Sequence, residues 1–128
     1  MVTQDNVREV CLALPGVVES EEKFAFSVMN KGKAKGFAWV WLERIAPKKA
    51  RVPNPRFLAV RVESLEAKEI ILGSNADVYF TEDHYNGFPA VLVRLDAIEL
   101  GELEGLIEDA WRCMAPADLV RQYDAGEG

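Results

Sequence analysis

At 128 residues, 49% hydrophobic and 28% charged, the chain is long and apolar enough to bury one continuous core, which excludes a linker or a disordered segment. Its two cysteines are too few for a disulfide scaffold, and no apolar run approaches the roughly 18 residues of a membrane helix. The net charge of −6 hides a division. Nine bases (Lys31, Lys33, Lys35, Arg44, Lys48, Lys49, Arg51, Arg56 and Arg61) share the segment 31–61 with one acid, Glu43, while the remaining residues hold six bases and twenty acids.

In chain order, Thr3 or Asp5 can cap a first helix whose Val7, Val10, Cys11 and Leu14 recur at helical spacing, and Pro15-Gly16 ends it. The period then changes to two: Phe24, Phe26 and Val28 alternate with Lys23, Ala25 and Ser27 as in a half-buried strand. Asn30-Lys31-Gly32-Lys33 supplies turn chemistry, and Gly36 to Arg44 reads as a second strand. A loop from Ile45 to Pro55 carries three prolines and three bases. Phe57 to Val62 makes a third strand, with Leu58, Val60 and Val62 on one face and Phe57 and Arg61 on the other.

Ser64 then caps a helix containing Leu65, Ala67 with Lys68, Ile71 and Leu72, and Gly73 suits the left-handed residue that would stop it. Strands follow at Val78 to Phe80 and Ala90 to Leu95, separated by the turn-rich stretch 82–89. A long helix from about Glu99 to Met114 places Leu103, Leu106, Ile107, Ala110, Trp111 and Met114 on one face. Pro116 can start a short closing helix through Tyr123, and residues 121–128 are expected to form a flexible tail. The order αβββαββα with short connections implies one α+β domain: a mostly antiparallel five-stranded sheet in two layers, with helices on one face. Cys11 and Cys113, both among apolar neighbours on helices, are expected to be buried and reduced.

Leu14-Pro15-Gly16-Val17-Val18-Glu19, the strand pair after it, the segment His84 to Leu95 and the closing Glu102-Leu103 to Trp111 resemble the MmcQ/YjbR family over nearly the whole chain. The resemblance implies an α+β fold similar to type III secretion chaperones and a DNA-binding role through hairpins shaped like paired wings. It supplies no catalytic residues. The chain departs from the family in the proline-rich, basic insertion 46–55.

Segregation of charge outweighs its sum, because screening acts over about 10 Å while a chain of this size has a radius of gyration of roughly 14 Å. Lys31, Lys33, Lys35, Lys48, Lys49, Arg51, Arg56 and Arg61 are therefore the candidate phosphate contacts, on a hairpin and a long loop brought onto one patch. The expected partner is DNA or another nucleic acid bound without base selectivity, with an acidic protein or a small anion as alternatives and no membrane contact. Hairpin lysines that merely discourage edge-to-edge aggregation are the competing reading.

An outward ladder of Phe37, Trp39 and Trp41 would form a stacking platform beside the lysines. Burial of that ladder under the helices is favoured, because tryptophans exposed in a row invite aggregation. His84 is the only histidine, no cysteine or histidine stands at metal-ligand spacing from it, and 31–36 lacks the spacing of a phosphate loop. No enzyme, metal or cofactor is expected. With no leader-like start, the chain is expected to be cytoplasmic.

Overall fold

The computed structural model describes residues 1–43 and 49–126, so Arg44, the start of the basic insertion and Lys48 lie outside the described residues. Thr3 begins α1 (Gln4–Leu12), its N–H donating to Asn6 Oδ1 at 3.0 Å as in a capping box. Gly16 has φ 71°, and a Cβ there would stand 3.1 Å from Leu119 Cδ2 in the last helix. The left-handed backbone and the close approach both call for glycine. The chain then forms β1 (Val17–Glu19), β2 (Ala25–Asn30), β3 (Lys33–Glu43) and β4 (Val52–Arg61). After α2 (Leu65–Ser74) come β5 (Tyr79–Phe80), a 3-10 turn at Asp83–Tyr85, β6 (Ala90–Arg94), α3 (Leu100–Met114) and α4 (Ala117–Asp124).

All strand pairs are antiparallel, in the order β1-β2-β3-β4-β6-β5. The two-layer α+β architecture is the one expected, with six strands in place of five. The added strand, β1, has three residues, too few to show a period. The helix-side core joins Phe26, Val28, Leu58, Val60, Val91 and Val93 of the sheet to Val7, Cys11, Leu103, Ile107 and Trp111 of α1 and α3. Trp111 Nε1 donates to Pro15 O at 2.9 Å, fixing α3 to the turn after α1.

One irregularity decides which side chains face where. Phe26 pairs with Ala38 but Ser27 pairs with Gly36, so Phe37 is an extra residue and β3 carries a bulge. Phe37 and Ala38 are consecutive yet both are fully buried in the helix-side core. The bulge reverses the parity of everything before it relative to everything after it. Lys33 and Lys35 consequently share the helix side with Val28, Lys35's register partner, whereas Trp39 and Trp41 turn to the opposite face.

Three further expectations are corrected. β4 starts at Val52, so the loop expected to reach Pro55 ends earlier. Pro53 and Pro55 are accommodated because β6 pairs only with residues Phe57–Arg61, leaving that part of β4 an edge on its other side. Gly73 is not left-handed; α2 continues to Ser74, whose Oγ donates to Ile71 O at 2.7 Å. Residues 121–124, expected in the tail, are helical: Tyr123 packs on Trp111 with ring centroids 5.0 Å apart. No helix among the described residues is long and apolar enough to cross a membrane.

Cys11 is buried as expected, but Cys113 is exposed, and both are free thiols. Burial, and secondarily Glu19, pushes the Cys11 thiol up to about 12. Its folded value lies above that of the unfolded thiol, near 8.5. The stability it contributes is therefore complete below that value and is lost as pH rises toward 12. At pH 8 a disulfide reagent should titrate Cys113 in the native protein and Cys11 only on unfolding. Phe37→Ala, which empties the bulge of its ring, should cost about 3–5 kcal/mol in urea unfolding.

Candidate functional site

The β2–β3 turn has positive φ at both central residues, 54° at Lys31 and 80° at Gly32, the geometry of a two-residue hairpin matched to strand twist. Asn30 Nδ2 donates to Met114 O at 2.8 Å, which ties the hairpin to the end of α3. From there Pro116 leads into α4. Arg112 holds α4 in place by pairing with Glu108 at 2.6 Å and with Asp124, and Tyr123 Oη donates to Glu108 at 2.7 Å. The Tyr123 hydroxyl and the Arg112 guanidinium keep the Glu108 carboxyl below its usual range.

A groove of about 710 Å³ results between the hairpin and α4, with Lys31, Lys33, Lys35 and Arg121 in its lining and Asp118 as the one carboxylate. Among the described residues none of these four cations makes an ion pair or a side-chain hydrogen bond. Arg121 was not among the expected contacts; it sits on the helix that Pro116 announces, far from the basic segment.

The other expected contacts are dispersed. β3 runs from Lys33 to Glu43, so at about 3.4 Å per residue its ends lie on the order of 30 Å apart. Lys49 and Arg51 belong to the far end, where Arg51 Nη1 donates to Leu42 O at 2.8 Å. Arg56 shares a surface depression with Asp5 and Asp96. Arg61 lies over the Phe88 ring on the face away from the helices, 5.3 Å from its centroid. Three screening lengths separate the two ends of the sheet, so they act as independent charges. The single basic patch expected from sequence is thus replaced by one cluster of three lysines with Arg121, and the hairpin lysines are not neighbours of the tryptophans.

The face opposite the helices is aromatic. Trp41, Phe57 and Phe80 pack edge to face with centroids 5.3–5.6 Å apart, and Arg94 covers Phe80 at 4.3 Å. Of the expected ladder only Phe37 is under the helices; Trp39 and Trp41 are half-buried on the other side. Nor do the rings form a continuous stacking ladder: they meet edge to face, and the guanidinium groups of Arg61 and Arg94 cover Phe88 and Phe80. Trp39 Nε1 donates to Tyr85 Oη at 3.0 Å, and with Tyr85 and Phe88 it borders a cleft described below.

The loop that carries Tyr85 is held from beneath by Lys68. This buried amine of α2 donates to Phe88 O at 2.9 Å and to Tyr85 O, and burial lowers its pKa against the opposing pull of Glu69. Sequence reading placed Lys68 on an apolar stripe without assigning it this task. Lys68→Met keeps the stem but leaves two carbonyls unpaired. It should cost about 1–3 kcal/mol in urea unfolding and accelerate amide exchange in residues 83–90.

No family model matches the chain. Over 76 residues it is 42% identical to the uncharacterized proteins Rv2570 of Mycobacterium tuberculosis and Mb2600 of Mycobacterium bovis. That stretch is 59% of this chain and 59% of each relative, so the match spans under two thirds of their length. The crystal structure of Deinococcus radiodurans protein DR2400, a DUF419 domain, superposes with a TM-score of 0.65 over 87% of this chain and 77% of that one, at 23% identity. This chain is therefore similar in fold to that DUF419 domain.

Proposed function

We propose that this chain is a non-catalytic nucleic-acid-binding module of the MmcQ/YjbR type, acting in the cytoplasm through the groove between the β2–β3 hairpin and α4. The observation that carries the reading is the convergence of Lys31, Lys33, Lys35 and Arg121, all without partners among the described residues, around one carboxylate. Unpaired cations surrender only water when they meet a phosphate, and the positive end of the α4 dipole adds to their field. Lysines and one arginine against a backbone position a strand without reading its bases, so the contact is non-specific and weak, with Kd on the order of 10⁻⁴ to 10⁻⁶ M. An acidic peptide is the second reading, favoured by the unpaired outer edge of β1, where Val18 is exposed.

Titration of a labelled duplex and a labelled single strand at two salt concentrations tests the proposal. Four phosphate contacts give a log–log salt slope of about −3.6 on duplex and about −2.8 on a single strand. Changing Lys31, Lys33 and Lys35 together to Glu should abolish binding, and Arg121→Glu should weaken it. Absence of binding at low salt, or binding indifferent to these changes, rules the groove out as a nucleic-acid site. Capture of a polyglutamate peptide in its place would transfer the groove to the second reading.

A further inference from the structure

A second site lies on the opposite face of the sheet. We propose that the cleft beside Trp39 and Trp41 binds a flat heteroaromatic anion with the chemistry of a purine monophosphate. The cleft holds about 420 Å³, within the range of small-ligand sites, and its walls include Trp39, Trp41 and Tyr85, with Lys23, Arg51 and Glu82 as the charged members. Two bases against one carboxylate favour a ligand of negative charge, and indole and phenol walls favour a planar one.

The polar groups are matched to both ends of such a molecule. Lys23 has no partner among the described residues, and Arg51 spends one nitrogen on Leu42 O, leaving donors for a phosphate. Tyr85 Oη accepts from Trp39 Nε1 and donates to nothing among the described residues, so its proton remains available. A heterocycle can accept that proton at a ring nitrogen while its phosphate meets the two bases, a combination that neither a hydrocarbon nor inorganic phosphate offers. The wall is also held in advance: Lys68 fixes the Tyr85–Phe88 loop, and the Trp39–Tyr85 hydrogen bond fixes the two side chains to each other.

The inference is independent of the hairpin groove, and its test keeps the two apart. Trp111 is fully buried in the other layer, so its indole N–H resonance serves as an internal control in a ¹⁵N spectrum. Titration with AMP or GMP should shift the indole resonances of Trp39 and Trp41 saturably and leave that of Trp111 in place. Adenosine should bind at least about tenfold more weakly, because it lacks the charge that Lys23 and Arg51 meet. Lys23→Gln combined with Arg51→Gln should bring AMP down to the adenosine level without changing adenosine binding, and these surface replacements leave the core intact. The Lys31, Lys33 and Lys35 to Glu protein should bind AMP as before. A short oligoadenylate separates the two sources of the ligand: a free nucleotide if only AMP binding responds to the Lys23 and Arg51 changes, a base of a strand if the oligomer responds as well. No saturable shift with AMP or GMP at millimolar concentration, or equal affinity for adenosine and AMP, overturns the proposal.

Discussion

The extra residue at Phe37 is the constraint on which the two surfaces of this protein depend. A strand presents alternate residues to alternate faces, so an unbulged β3 would put Lys33, Lys35, Phe37, Trp39 and Trp41 on one side. The bulge cuts that series at its midpoint. It sends the lysines toward α4 and the tryptophans toward the 82–88 loop, with Phe37 filling the core between them. One inserted residue thus yields a charged groove on the helix side and an aromatic cleft on the other, where a regular strand would have mixed the two chemistries on a single face.

Each surface is completed by an element distant in sequence. The hairpin needs α4, which is fixed by Asn30 to Met114 O and by the Arg112 pairs with Glu108 and Asp124. The cleft needs the Tyr85 loop, which is fixed by a lysine that gives up solvent to bind two carbonyls. Burial of an amine is unfavourable unless it is hydrogen-bonded, and Lys68 meets that condition with backbone acceptors in place of a carboxylate. On the same helix Ile71 and Leu72 pack against the core, whereas Leu65 and Ile70 are exposed.

Much of the fold was legible because its signals are periodic. Leu103, Ile107, Ala110 and Trp111 define the buried face of α3 by spacing alone, and Leu58 and Val60, with Val62 just beyond the strand, define the inner face of β4. Ser64 caps α2 as its position suggests, with Ala67 N donating to its Oγ at 3.0 Å. What was illegible is non-periodic or non-local. A bulge leaves no mark in an alternating pattern that reads smoothly through Phe37, and that one slip misplaced the lysines relative to the tryptophans. β1 is visible only through its partner strand. Arg121 and Lys68 acquire their surroundings from contacts across the fold, and the dispersal of Lys49, Arg51, Arg56 and Arg61 follows from the length of β3, which charge counting ignores.

The groove exists only where the β2–β3 hairpin and the final helix meet, segments separated by more than half of the sequence. A peptide copied from either segment would carry some of the charge and none of the shape. Any polyanion seated there is consequently bound by the native state alone, and its occupancy raises the melting temperature in proportion to the logarithm of its concentration. For the polyanion proposed here, release and cooperative unfolding would then be a single thermal event.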